Sequence, residues 1–132
     1  MKYIDIINAY KVIQKLSNMD FSVRDAYAIY NIRKSLEPTI AFGAEREKCL
    51  IEKYNGAVAQ DGGIKFFDES CTEEEKAAGL ENMTGFVREM QELNESEIDI
   101  DITQITLLYD SFGDQKITPN EIMVLEGFVK FE

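Results

Sequence analysis

The stretch "DSFGDQKITPNE", residues 110–121, sets Asp110, Asp114, Thr118 and Glu121 at positions one, five, nine and twelve of a calcium-binding loop, with Ile117 at eight. Such a loop takes oxygen ligands at one, three, five and twelve, bends on a glycine at six, and lies between two helices. Here position three is Phe112, which offers no ligand atom, and position six is Gln115. Gln resists the left-handed backbone that glycine adopts cheaply. The chain leading in, "IDIDITQIT", is β-branched and reads as a strand, not a helix. A helix start explains the same letters better: Thr118 as N-cap, Pro119 at the first helical position, and Glu121 closing a capping box. No metal-ligating residue is expected.

Other routes to chemistry are equally thin. The chain has no His, so the usual proton shuttle at neutral pH is missing. Cys49 and Cys71 have no neighbouring ligand set and read as two free thiols, buried or half-buried. Thr72 and three glutamates follow Cys71, and negative charge raises a thiol pKa. Cys49 is better placed, near Lys48 and Lys53, but on a helix face expected to be buried. Asp99 and Asp101 alternate with isoleucines, as a solvated strand face requires, and are not held apart across a cleft. Asp61-Gly62-Gly63 is not followed by the Lys-Ser/Thr pair of a phosphate loop, and Asp61 would repel the anion. No catalytic or cofactor-binding residue and no cofactor are expected, and the chain reads as a non-enzyme.

The elements that would carry these residues are mostly helices. Ile4, Ile7, Val12, Ile13 and Leu16 predict a first helix over 3–17. Ser22 and Asp25 start a second, with Phe21 placed for a hydrophobic staple on Ala26. Val23, Ala26, Tyr27, Tyr30 and the Ile29–Ile32–Leu36 series cover much of that helix and make it central to the core. Pro38 predicts a kink, or a break with a new helix running to Tyr54. The glycines at 62 and 63 predict a β-hairpin over 57–67. Thr72 and Glu75 then cap a helix to about residue 95, whose Leu80, Met83, Val87 and Met90, widened by Phe86 and Leu93, form a stripe for packing on another helix. Alternation in "ESEIDIDITQI" predicts a strand, to be paired with the hairpin, with the "KIT" segment or with a second copy. The last helix runs through "PNEIMVLEGFVKF". The fold class is α+β, mainly α: an antiparallel helical pair with a β-hairpin at its tip, a short strand and a capped C-terminal helix.

At 132 residues the chain is expected to be one domain, 1–132, with a core of its own. Its net charge of −11 is uneven. Residues 1–54 carry nine Lys/Arg against seven Asp/Glu, net +2; residues 55–132 carry five against eighteen, net −13. Nucleic acid and anionic membranes are therefore not expected as direct partners. Nothing resembles a signal peptide or a membrane span, so a cytoplasmic setting is expected.

The order of elements resembles a family of small proteins from tailed phages and prophages of Gram-positive bacteria. The likeness runs from the "LEP" break in a charged helix ending "IEKYN", through a Gly-containing hairpin and an acidic helix leading into "ESEIDIDITQI", to the closing "ITPNEIMVLEGFV". That family has no assigned biochemical activity, so the resemblance implies a phage setting, in the host cytoplasm or on the virion, and no functional residues. The function expected is protein–protein interaction: a structural accessory or assembly factor that self-associates, with an unidentified phage or host protein as partner. The alternative is an acidic inhibitor that uses carboxylates from Asp68 to Asp101 to mimic nucleic acid against a defence or nucleic-acid enzyme of the host.

Overall fold

A computed structural model describes all 132 residues. The elements in order are α1 (Tyr3–Ser17), α2 (Val23–Lys53), β1 (Ala57–Val58), β2 (Ile64–Lys65), α3 (Glu73–Glu95), β3 (Ile105–Leu107), a 3-10 turn (Tyr109–Phe112), α4 (Pro119–Val124) and β4 (Val129–Phe131). The fold is α+β and mainly α. Two compact units divide the chain: Met1–Ile40 with Glu97–Glu132, and Ala41–Ser96. No helix is long and apolar enough to cross a membrane.

The first unit holds the larger core. α1 buries Ile6, Ala9, Ile13 and Leu16, one face turned slightly from the expected Ile4–Ile7–Val12 side. α2 contributes Ile29, Ile32 and Leu36, and the C-terminal segment adds Leu107, Phe112, Leu125, Phe128 and Val129. Val23, Tyr27 and Tyr30, expected in the core, are exposed instead. Ile29, Ile32 and Leu36, on one side of the helix, face the core cluster, so the aromatic side is left outside. Ser22 caps α2 as expected, accepting from the Asp25 N–H at 3.3 Å. Phe21 finds Phe112 rather than Ala26, edge-on at 5.2 Å between ring centroids.

Pro38 does not break α2, which runs unbroken for 31 residues. Proline removes one N–H and so frees the carbonyl of Lys34. Both Pro38 and Lys34 are exposed, so that carbonyl faces solvent and is not stranded in a core. Leu36, fully buried, and Ile40, packed on the same core, hold the helix on either side.

Two expectations about the C-terminal half are corrected. The strand begins at Ile105, not at Ile98, and its partner is β4, in parallel register Ile105↔Val129, Thr106↔Lys130 and Leu107↔Phe131. The final helix stops at Val124 and gives way to β4. Gly127 is the local reason: it is a poor helix residue, and after it the Phe128 and Val129 N–H groups both turn back to the Leu125 carbonyl. Residues 98–104 keep the expected two-faced alternation without a ladder. Ile98, Ile100 and Ile102 pack on the core, while Asp99 and Asp101 are exposed.

In the second unit the end of α2 and α3 form the helical pair, joined by the β1–β2 hairpin, with register Ala57↔Lys65 and Val58↔Ile64. Gly62 sits at φ 86°, which only glycine adopts cheaply, and Asp61 accepts the Gly63 N–H at 2.9 Å. Gly79 and Gly85 set the spacing of α3. A Cβ at Gly79 would lie 2.6 Å from the Phe66 carbonyl oxygen, and one at Gly85 would lie 2.5 Å from the Tyr54 ring. Glycine inside a helix costs about 1 kcal/mol against alanine. Overpacking a fixed contact costs about 1–3 kcal/mol, so close approach wins and the glycines stay.

Candidate interaction surface

Gln115, Thr118 and Glu121 of the 110–121 stretch are used by the fold itself. Thr118 accepts from the Glu121 N–H at 3.2 Å, and Glu121 accepts from the Thr118 N–H at 2.9 Å, so the capping box is closed. Glu121 also takes both of its oxygens to Lys15 Nζ, at 2.7 and 2.8 Å, tying α4 to α1. The Lys15 ammonium, and then the Thr118 amide, hold the Glu121 carboxyl below its ordinary pKa. Asp110 lies in the 3-10 turn and Asp114 is exposed beyond Gly113, whose φ is 55°.

Gln115 has a role that spacing alone did not show. Its side-chain amide accepts from the Asp20 N–H at 2.6 Å and donates to the carbonyls of Asp20 and Phe112. It clamps the α1–α2 turn to the loop before α4. The only sequence signal was a long amide beside a turn, too common to single out.

In the second unit Glu89 is the centre of a cluster of polar contacts. It accepts from the Tyr54 hydroxyl and from Lys53 Nζ at 2.9 Å, and Arg46 lies 3.8 Å away. The Tyr54 hydrogen bond, then Lys53, lowers the Glu89 pKa, and Glu89 in turn raises that of Lys53. Every member is accounted for by holding α2 to α3. A carboxylate whose folded pKa is depressed adds stability above its ordinary value, around 4.3, and that stability is lost as pH falls through the folded pKa. Urea midpoints are therefore expected to hold level from pH 7 to about 5 and to drop below about pH 4.3. In Glu89→Gln the drop is shallower. That variant separates the specific loss from the general relief of repulsion in a chain of net charge −11.

Cys71 is half-buried, but Cys49 is exposed, contrary to expectation. The Lys53 ammonium near it in sequence is engaged by Glu89.

The expected helix-packing stripe of α3 is split between an inner and an outer face, with Met90 half-buried between them. Gly79, Gly85, Phe86 and Leu93 are buried, whereas Leu80, Met83 and Val87 are 40%, 38% and 50% exposed. At about 100° per residue, Leu80, Met83, Val87 and Met90 share a sector about 80° wide. Their three-four-three spacing continues to Asn94, and the flanking Ala77, Thr84 and Gln91 are uncharged; toward the N-terminus the exposed Lys76 lies in the same sector and Glu73 beside it. Of the exposed acids, Glu74, Glu81, Glu92 and Glu95 fall in a separate sector about 60° wide, with Arg88 in its middle, while Glu73 and Glu75 of the first turn lie outside it. On this helix the carboxylate stripe required by nucleic-acid mimicry is interrupted by a cation. Grooves elsewhere include one of ≈ 750 Å³ between α1 and α4, lined by Asp5, Lys11 and Met123 among others. No family model matches the chain, and no curated protein or solved structure matches it.

Proposed function

We propose that this chain is a non-enzymatic interaction protein that self-associates through the outer seam of α3. The observation carrying this reading is the Leu80–Met83–Val87–Met90 row, apolar and helical in spacing, its first three members exposed and Met90 half-buried. Rows of that spacing pack knobs into holes on a second helix. Charge selects the second helix. The unit Ala41–Ser96 carries thirteen Asp/Glu against six Lys/Arg, yet the seam holds no carboxylate between Leu80 and Met90. A basic partner would be drawn to the acidic sector, not to this face. Two copies, by contrast, can meet along Leu80–Met90 without opposing like charges, with Lys76 and Glu73 beyond its N-terminal end. The resemblance to phage proteins supplies the setting, an accessory or assembly factor in the host cell or on the virion.

Sedimentation equilibrium across micromolar to sub-millimolar concentrations is expected to show a dimer. Added salt strengthens it, because salt screens the repulsion between two acidic chains over the Debye length, about 8 Å at 0.15 M. A strict monomer throughout would remove the proposal. Salt-sensitive complexes with nucleic-acid enzymes that depend on the α3 carboxylates would favour the acidic inhibitor instead.

A further inference from the structure

The segment between Glu97 and β3 is an open edge. Ile98 N–H is taken by the Met1 carbonyl and Ile105 N–H by the Phe128 carbonyl. Between them, the backbone N–H and C=O groups of residues 99–104 have no backbone partner in the chain. The segment is nevertheless held in place. Ile98, Ile100 and Ile102 anchor it to the core, and the Gln104 side chain donates to the Glu126 carbonyl at 3.0 Å. Since Ile105 points its N–H at β4, alternation along a strand turns the groups of Gln104, Ile102 and Ile100 the other way. Beside this stretch lies a groove of ≈ 510 Å³, walled on one side by Asp101, Ile102 and Thr103 and on the other by α2, where Tyr27, Ala28 and Ile32 alternate with the polar Arg24, Asn31 and Ser35.

We propose that residues 99–104 accept an added strand from a partner protein whose extended segment alternates Lys or Arg with β-branched residues. Backbone pairing at an exposed edge supplies affinity, and alternate side chains supply selectivity. Here one face of the incoming strand meets the exposed Asp99 and Asp101 carboxylates, which calls for cations. Its other face lies over Tyr27 and Ala28, with Arg24, Asn31 and Ser35 in the same wall, which calls for uncharged β-branched residues, Thr as well as Val or Ile. A second copy of the same segment is disfavoured. Parallel in-register pairing, or antiparallel pairing centred on Asp101, sets carboxylate opposite carboxylate, the device by which natural edges avoid themselves. This surface is separate from the α3 seam and does not depend on it.

The test is a titration of the full chain with blocked eight-residue peptides, followed residue by residue by NMR. A peptide alternating Lys with Val is expected to shift residues 99–106 and to slow amide exchange at Ile100, Ile102 and Gln104. It binds roughly ten-fold tighter than its Glu–Val counterpart, from two cross-strand charge pairs turned from attractive to repulsive. In the Asp99→Lys/Asp101→Lys variant the preference reverses; both sites are exposed, and circular dichroism checks the fold. Backbone N-methylation of the Lys–Val peptide abolishes binding. The proposal is overturned if the N-methylated peptide binds equally, if neither peptide perturbs the segment, or if the charge preference fails to reverse. Protection of 99–104 that rises with protein concentration alone would also overturn it, in favour of a second copy.

Discussion

Substituting Met83→Glu and Val87→Glu together is expected to weaken self-association at least 100-fold while leaving the fold intact. In the proposed dimer each copy then carries two carboxylates into an apolar seam, facing the same two from its partner. Buried charge without a counter-charge costs several kcal/mol per site. Even a heavily discounted total of about 3 kcal/mol corresponds to two decades in dissociation constant. The monomer pays little, because the two side chains are 38% and 50% exposed and glutamate is a better helix former than valine. Sedimentation velocity and thermal denaturation of the variant read the two effects separately. A dimer that survives the double substitution would relocate the contact to another face.

Phe128→Ala is the most damaging single change expected for the first unit. Phe128 is 1% exposed, packs in the cluster with Leu107 and Leu125, and offers the carbonyl that receives Ile105 at the start of β3. Truncating a buried phenylalanine costs about 3–5 kcal/mol, the lost transfer energy plus the cavity. Urea denaturation followed by circular dichroism should show a loss of that size. A loss below about 1 kcal/mol would mean that the site collapses freely and that the β3–β4 pair is not set by this ring.

The sequence was most legible where the cause is local. Ser22, Thr72 and Thr118 each cap the helix they were expected to start, because a cap needs only neighbours three residues on. At Thr72 only half of the expected box forms, the Glu75 N–H reaching the Thr72 hydroxyl. The hairpin was readable from Asp61-Gly62-Gly63, since a tight turn is also local.

Choosing which helix face is buried was harder. α2 and α3 each carry two apolar sectors, and spacing cannot say which one meets the core. On α3 the better clue lay in Gly79 and Gly85, residues unfavourable in a helix unless another chain segment presses close. The parallel β3–β4 pair was least legible. Val129 and Phe131 extend the helical spacing of Ile122, Leu125 and Phe128, and their true partner lies at Ile105 and Leu107. Alternation gave the faces of 98–104 correctly while leaving their hydrogen bonds undetermined, since side-chain period says nothing about pairing.

The central claim is that the uncovered seam of α3 is where two copies meet. It is tested most directly by a nitroxide placed at Thr84 in a Cys49→Ser/Cys71→Ser background, with distances read by pulsed electron resonance at a concentration where the protein is dimeric. Helices packed along this seam lie about 8–10 Å apart, so labels on two copies should give a sharp distance within about 25 Å. A dimer whose Thr84 labels show no dipolar coupling would contradict the assignment.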